Sequence, residues 1–325
     1  MEYAPICIAT LNRYKHLKNC IDSLKENTWA EHTELFIAVD YPPDVKYETG
    51  YKEVCKYLEM PIDGFKKVTI IKREYNYGCE KNFMELFDQV LVKFNSYIAM
   101  EDDCIVATDF IEYMDKCLDY FKDSEKVCSV AGYTKRELYS EGSNIAISHR
   151  YSAWGHGMWK ATHYKMKKEV SIEYFEKYAK SVRYLSRFKS AREFSRFVDM
   201  IFAQEVPYWD ISYSIWMQVN DLVQVRPLRT KLVNRGNDSS ALHPEAIILE
   251  AQTQELESGC MEYDICVSSD LDDQRILKKN KDLLCDRYII SKKKCFFFLI
   301  YFLLGKTRYF KLVHCWTSFK DKIGI

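Results

Sequence analysis

The sequence predicts an α/β fold in which a doubly wound, mostly parallel (Rossmann-like) sheet is flanked by helices. Apolar, β-branched runs alternate with segments whose apolar residues recur at helical spacing. With 325 residues, 47% of them hydrophobic, the chain can bury one large core or two smaller ones. Strands that alternate with helices favour right-handed crossovers and ligands bound beyond the carboxyl ends of the strands.

The first two predicted strands are short and sharply ended. PICIAT at 5–10 is followed by a helical pattern over 17–27. ELFIAVD at 34–40 ends on Asp40, because Pro42 and its neighbour cannot continue a central strand. Asp40 therefore lies at a strand end, where a turn or cap role is as compatible with the sequence as ligand binding.

The next two strands repeat the pattern. VTIIK at 68–72 leads through the turn Asn76-Tyr77-Gly78 into a long amphipathic helix. SYIAMEDD at 96–103 ends on three adjacent carboxylates, and a further helix follows over 106–121. These carboxylates repel one another, so they form either a solvated turn or a site for a hard divalent cation with substrate phosphates.

Charge and cysteine usage exclude several classes of protein. Lys plus Arg equals Asp plus Glu at 47 each, so no overall field recruits nucleic acid. The 12 cysteines form no CxxC pair, and the N-terminus lacks a secretion signal. The sequence therefore predicts a protein of the reducing cytoplasm.

Several motifs occur in an order that resembles a known family. The strand ending in Thr10, the aspartate of AVDYP, NYGCEKNF and MEDDCIVATDF together resemble a GT-A fold glycosyltransferase of the family 2 type. The Glu-Asp-Asp triplet also resembles the signature of an N-acetylglucosaminyltransferase of early N-glycan processing.

The resemblance continues in the second half and covers about residues 4 to 244. YSAWGHGMWK, VPYWDISYSIW and LVNRGNDSSALH are similar to the WGWATW-type, WD and NIGxDGxGTH-like segments of bacterial polysaccharide glycosyltransferases. Because the motifs keep their order, they are more specific together than the acidic triplet alone.

The resemblance implies roles for the strand-end residues. Asp40 would hydrogen-bond the base of a nucleotide-sugar donor, with UDP expected as its nucleotide. Glu101 and Asp102 would contact the ribose or the donor sugar, and Asp103 would coordinate a divalent cation, Mn²⁺ or Mg²⁺, on the diphosphate. Four further residues would line the nucleotide pocket or lie near the base and phosphates: Thr10, Arg13, Arg73 and Lys81.

In the second half, Asp210 is the candidate general base for an inverting displacement, because the resembling families place a catalytic Asp after Trp. Trp209 would suit a sugar face, and the alternative is that Asp210 caps a helix beginning at Ile211. His243 is a second candidate metal ligand, although its loop lacks the expected glycines.

The segment Trp154-Gly155-His156 would contact sugar. His156 replaces an aromatic residue of the familiar pattern and would hydrogen-bond donor or acceptor hydroxyls, while Trp154 would stack on a ring. A structural histidine and a buried core tryptophan are the alternatives.

The predicted organisation is a catalytic domain over 1–244, a covering segment over 245–290 and a basic-aromatic tail over 291–325. Within the first, one or two helices inserted at about 164–205 would recognise the acceptor. The apolar run at 295–304 is too short to span a bilayer, so we expect peripheral attachment to the inner face of the cytoplasmic membrane. A buried C-terminal helix is the alternative.

These observations predict a metal-dependent, inverting glycosyltransferase that moves a sugar onto a glycan or lipid-linked glycan in surface polysaccharide biosynthesis. A sugar-phosphate nucleotidyltransferase is the alternative enzyme, although the first strand lacks the glycine-rich basic loop of such enzymes. A degenerate protein that binds nucleotide sugar or glycan without turnover is the non-enzymatic alternative, supported by the altered loop before His243.

Overall fold

The computed structural model describes residues 2–188, 190–238, 256, 275–276, 278–280 and 289–323. These residues form two compact units. The first holds residues 2–165 and the described residues from 222 to 280, and the second holds the described residues of 166–221 and 289–323. His243 and most of the predicted covering segment at 245–290 lie outside the described residues.

The first unit contains an eight-stranded sheet of order β3-β2-β1-β4-β8-β6-β9-β7. Parallel pairs join β1 to β2 and β4, β2 to β3, and β6 to β9, while the remaining neighbours are antiparallel. The predicted mostly parallel sheet is therefore confirmed. Its strands are β1 (Ile6–Thr10), β2 (Glu34–Val39), β3 (Lys67–Lys72), β4 (Ser96–Glu101), β6 (Val127–Ala131), β7 (Ile145–Ser148), β8 (His156–Trp159) and β9 (Val223–Pro227).

A second, two-stranded sheet pairs β5 (Cys104–Val106) with β10 (Leu232–Asn234) antiparallel. Because β5 begins one residue after Asp103, this pairing brings the chain after β10 onto the acidic cluster. Asn234 lies opposite Cys104 in the register.

Helices cover the sheet by burying one face each. In the first helix the residues Leu17, Cys20, Ile21 and Leu24 are fully buried, which is the helical spacing read from the sequence. The helices of this unit are α1 (Tyr14–Lys25), α2 (Glu48–Tyr57), α3 (Cys79–Leu91) and α4 (Phe110–Phe121), and α5 (Lys160–Glu169) continues into the second unit.

The second unit is helical. Its helices are α6 (Ile172–Ala179), α7 (Val182–Leu185), α8 (Ala191–Ala203), α9 (Trp209–Val219), α10 (Lys292–Leu304) and α11 (Lys306–Ile323). The prediction of one or two helices over 164–205 was wrong. Serines restart the helix, since Ser171 accepts a hydrogen bond from the Tyr174 N–H and Ser190 from the Glu193 N–H. The second unit also includes α9, which carries Trp209 and Asp210.

The helix α10 has two apolar faces with different surroundings. One face packs on α8, where Phe298 meets Phe194 with ring centroids 5.4 Å apart. The opposite face exposes Phe296, Leu299 and Leu303, at 59%, 53% and 70%. Within the described part of the chain, no helix is both long and apolar enough to cross a membrane.

Candidate active site

The carboxyl ends of β1 and β4 meet because these strands are parallel neighbours with Ala9 opposite Glu101. Thr10 ends β1, and its Oγ1 donates a hydrogen bond of 2.6 Å to Oδ2 of Asp102. Glu101 ends β4 and is half-buried. The structure thus brings together the predicted residues of the first strand and the acidic cluster.

Asp102 is a buried carboxylate beside a second one. Burial, with a smaller contribution from the negative charge of Asp103, raises the pKa of Asp102 to about 7. The hydrogen bond from Thr10 and the charge of Arg13 act in the opposite direction. Added positive charge at this strand end would favour the ionised form of Asp102.

Asp103 is held on both carboxylate oxygens. Arg13 donates through Nη1 to Oδ2 at 2.7 Å, and Asn234 donates through Nδ2 to Oδ1 at 2.7 Å. The main-chain N–H of Arg235 also donates to the Asp103 carbonyl oxygen, at 2.8 Å. The carboxylate therefore has a fixed orientation, set by one charged donor together with neutral donors.

The segment 234–238 lies directly on this ion pair. Arg13 Nη2 donates to the carbonyl oxygen of Gly236 at 2.7 Å and lies 3.7 Å from Oδ1 of Asp238. His16 Nε2 lies 2.7 Å from Oδ2 of Asp238. Sequence reasoning missed Asn234 and Asp238 as site residues, although both stand in the predicted ending motif; only the pairing of β10 with β5 places them here.

Asp40 lies at the neighbouring strand end and has neutral partners. Its Oδ1 accepts from the N–H groups of Tyr41 and Tyr77 at 2.9 and 2.8 Å. Its Oδ2 accepts from the Gly78 N–H at 2.9 Å and from Asn76 Nδ2 at 3.2 Å. Asp40 therefore organises the turn at 76–78, which supports the turn role that the sequence left open. Its contact with a base stays a prediction.

Arg73 and Lys81 lie against the same turn. The Arg73 guanidinium carbon is 4.8 Å from the centre of the Tyr77 ring, and Lys81 Nζ is 4.3 Å from it. Arg73 also donates to Oδ1 of Asn82 at 2.8 Å. Both cations are thus grouped around Tyr77 beside Asp40.

The donor set at the acidic cluster fits a hard divalent cation, since Asp102 and Asp103 offer carboxylate oxygens that such ions prefer. A preformed cage is absent: the described residues contain no group of three or more His, Cys, Asp or Glu arranged to hold a metal. To bind the ion through Oδ2, the Asp103 carboxylate would have to release the Arg13 guanidinium. The predicted ligand His243 lies outside the described residues.

Asp210 and Trp209 belong to the second unit. The helix α9 begins at Trp209, so Asp210 lies in its first turn and is not the cap that the alternative expected. Asp210 is exposed at its surface, and partial loss of water raises the pKa of its carboxyl, against the attraction of Arg196. Trp209 is 7% exposed and packs on Tyr213, which favours a structural role.

The segment 154–156 lies in and beside β8. His156 is fully buried in the sheet, its Nδ1 lies 2.8 Å from the Ala153 carbonyl oxygen, and burial lowers the pKa of its imidazole to about 4. This favours the structural alternative for His156. Gly155 has φ +55 and no room for a side chain against Leu232. Trp154 is half-buried and packs edge-on against Tyr133.

Residues 6–188, more than half of the chain, match the family described as Glycosyl transferase family 2. The comparison with curated proteins finds no match.

Solved structures include S. aureus TarS residues 1–349, at 12% identity and a TM-score of 0.36, over 52% of this chain and 50% of that one. They also include the mannosyltransferase PcManGT from Pyrobaculum calidifontis in complex with GDP-Man and Mn²⁺, at 11% identity and a TM-score of 0.35, over 49% and 45%. The chain thus spans about half the length of these neighbours, and similarity at this level carries no argument about function.

An α/β sheet with acidic strand ends and a family match over most of that sheet together define a GT-A fold. The chain belongs to glycosyl transferase family 2. This assignment favours sugar transfer over the nucleotidyltransferase alternative.

Proposed function

We propose that this enzyme transfers a sugar, with inversion, from a nucleotide-diphosphate donor to a hydroxyl of a glycan or lipid-linked glycan during surface polysaccharide biosynthesis. UDP is the expected nucleotide. The observation that carries the proposal is the pair Asp102 and Asp103 at the end of β4, with Thr10 and Arg13 bonded to them. Carboxylates at this edge of a parallel sheet are placed where α/β folds bind ligands.

Each residue of this edge has a proposed part. Asp40 and the cations around Tyr77, Arg73 and Lys81, would bind the base and nearby phosphate. Glu101 and Asp102 would receive hydroxyls of the ribose or the donor sugar. Cationic side chains close to a diphosphate stabilise the negative charge that develops as it leaves.

The proposed metal is Mn²⁺ or Mg²⁺, with Asp103 as its protein ligand in the described part of the chain. When bound, such an ion stabilises charge on the leaving diphosphate as a Lewis acid. His243 stays a predicted second ligand.

Asp210 is the proposed general base. As the acceptor oxygen forms its bond to the anomeric carbon, the bond from that carbon to the diphosphate oxygen breaks, and the acceptor proton passes to the Asp210 carboxylate. A raised pKa makes a carboxylate a better proton acceptor, and partial loss of water raises the pKa of Asp210 even though the residue is exposed. Proton transfer of this kind contributes about 10²–10⁴-fold to rate.

The test of this reaction is turnover of UDP-sugars followed by proton NMR of the released or transferred sugar. We expect an anomeric configuration opposite to that of the donor, and about 10²–10⁴-fold slower transfer in Asp210→Asn with unchanged donor binding. A retained configuration would contradict the proposed mechanism. Donor binding without any turnover in the wild type would establish the degenerate alternative.

We also propose that α10 and α11 hold the enzyme on the inner face of the cytoplasmic membrane, near a lipid-linked acceptor. The exposed stripe of Phe296, Leu299 and Leu303 supports this, because aromatic and aliphatic side chains insert at a bilayer interface. Residues 289–320 carry seven Lys or Arg and no Asp or Glu, which suits anionic lipid.

Flotation with vesicles of phosphatidylcholine, with and without phosphatidylglycerol, tests this attachment. We expect wild type to float with anionic vesicles and the double variant Leu299→Asn, Leu303→Asn to remain in solution. Val92→Asn is the matched control, because Val92 is 80% exposed on another surface. Equal flotation of both variants would exclude the stripe as the membrane contact.

A further inference from the structure

The Arg13 guanidinium lies directly on one carboxylate oxygen of Asp103, the proposed metal ligand. Its Nη1 is 2.7 Å from Oδ2 of Asp103, and the two side chains are only 15% and 11% exposed. Asn234 takes the other carboxylate oxygen. One of the donors on this carboxylate is therefore a full positive charge, largely shielded from solvent.

The same guanidinium also binds the segment 234–238. It donates to the Gly236 carbonyl oxygen at 2.7 Å and lies 3.7 Å from Oδ1 of Asp238. The packing is tight, since a Cβ on Gly236 would lie 1.9 Å from Oδ2 of Asp103 and 3.0 Å from Nη1 of Arg13. The same guanidinium thus joins Asp103 to this segment, and its displacement from Asp103 would disturb the contacts with Gly236 and Asp238.

We propose that Arg13 is an internal counter-cation of Asp103 and that a divalent cation displaces it, so that metal loading and release of Arg13 from Asp103 and Gly236 are one coupled event. The proposal rests on the proposed function only in taking Asp103 as the metal-binding carboxylate. Its physical reason is charge: a guanidinium and a divalent ion on one carboxylate repel each other at short range, and shielding from water strengthens that repulsion.

Competition of this kind lowers the measured metal affinity, because only the fraction of molecules with Arg13 turned away can bind the ion tightly. Removal of the charge removes the competitor. Couplings between sites in proteins are typically 5- to 150-fold, so we expect Arg13→Gln to bind Mn²⁺ about 5- to 150-fold more tightly. Glutamine keeps an NH2 donor group and removes the charge, although it is shorter and has fewer N–H donors than arginine.

The experiment is calorimetric titration of MnCl₂ into the full-length chain without nucleotide. Arg13→Gln should bind more tightly than wild type, Arg13→Lys should remain close to wild type because it keeps the charge, and Asp103→Asn should lose this binding. Lys18→Gln is the matched control, since Lys18 is a basic residue of the same helix that pairs with Asp22. Unchanged or weaker Mn²⁺ binding by a folded Arg13→Gln protein would overturn the proposal.

The two possible failures are distinguishable. If Asp103→Asn binds Mn²⁺ as wild type does, the proposed metal site itself is wrong. If Asp103→Asn loses binding but Arg13→Gln gains none, only the competition is wrong.

Hydrogen exchange read by mass spectrometry gives a second measurement that needs no variant. In wild type, Mn²⁺ should speed amide exchange over 234–238, because Arg13 releases Gly236. Slower or unchanged exchange there in saturating Mn²⁺ would also overturn the competition, even if Arg13→Gln failed to fold.

Discussion

The two acidic strand ends, Asp40 after β2 and Asp103 after β4, look alike in sequence and differ in their partners. Asp40 accepts hydrogen bonds from uncharged N–H groups, three of them main-chain. Asp103 accepts from a guanidinium and an amide side chain. Neutral main-chain donors belong to the fold and cannot be exchanged, whereas a cation can be replaced by another cation. Asp40 therefore organises its turn, whereas the cation that is bound to Asp103 can be exchanged.

The largest expected effect comes from the charge of Asp103. We expect Asp103→Asn to slow donor turnover by about 10²–10³-fold, which is the range for removal of one preorganised electrostatic contact. Steady-state rates measure this, with Asp22→Asn as a control because Asp22 is an exposed carboxylate on α1. A rate within about threefold of wild type would show that the reaction does not depend on Asp103. Asp103 and Asp40 would then not differ in function as described.

Asp40 should affect stability more than chemistry. In Asp40→Asn, one carboxylate oxygen becomes an NH2 group. That group would meet either the N–H donors of Tyr41 and Tyr77 or those of Gly78 and Asn76, instead of accepting from them. Leaving such groups unsatisfied costs about 1–3 kcal/mol in the free energy of unfolding. Denaturant unfolding should show this loss, together with weaker donor binding through the displaced turn. Unchanged stability would mean that the turn does not depend on Asp40.

The packing of segment 234–238 on Asp103 provides a further test of the difference between Asp103 and Asp40. Gly236→Ala would place a methyl group 1.9 Å from Oδ2 of Asp103, so the segment or the carboxylate must shift. Overpacking of this kind costs about 1–3 kcal/mol. We expect a lower melting temperature and weaker Mn²⁺ binding than in wild type. A variant with the melting temperature and the Mn²⁺ affinity of wild type would show that Gly236 lies farther from the ion pair of Arg13 and Asp103.

A third carboxylate, Asp115 on α4, shows what burial does without a cation. Its Oδ1 accepts from the Ala4 N–H at 2.9 Å, and burial raises its pKa from 3.8 to about 8. Between these values the folded protein holds a proton that the unfolded chain has lost. This group therefore makes stability fall as pH rises from about 4 to about 8.

Asp115→Asn removes that proton equilibrium, so its stability relative to wild type should rise across the same interval. The effect is confined to stability and its dependence on pH, since Asp115 lies outside the site. Melting temperatures of both proteins over this pH range measure it. Parallel pH profiles would mean that Asp115 stays ionised in the folded protein.

The strands and their acidic ends could be predicted because they depend on local patterns. Asp40 and Asp103 each follow an apolar run, and the parallel order of β2, β1 and β4 then places them at one edge. The contacts of Arg13 and Asp103 with the segment 234–238 could not be predicted in this way, because they depend on β10 pairing with β5 across more than a hundred residues.

The sequence left two roles open for the segment around His156. Its glycines and tryptophans suggested contact with sugar, and the alternative was a structural role. Residues 156–159 form a strand between β4 and β6, and the burial of His156 favours the structural alternative. The antiparallel pairing that buries His156 is also long-range. Local sequence identifies unusual residues, but long-range pairing decides whether they reach solvent.

The central claim is that the carboxylates at the end of β4 bind a nucleotide-sugar donor with a divalent cation. Thermal unfolding with a panel of nucleotide sugars, with and without Mn²⁺, tests it in wild type and Asp103→Ala. A ligand that binds the folded state at about 100 times its dissociation constant adds about 2.7 kcal/mol of stability. We predict stabilisation by one class of donor that requires Mn²⁺ and is lost in Asp103→Ala. The claim would be contradicted if no nucleotide sugar stabilised the protein. It would also be contradicted if stabilisation were the same without Mn²⁺ and in Asp103→Ala.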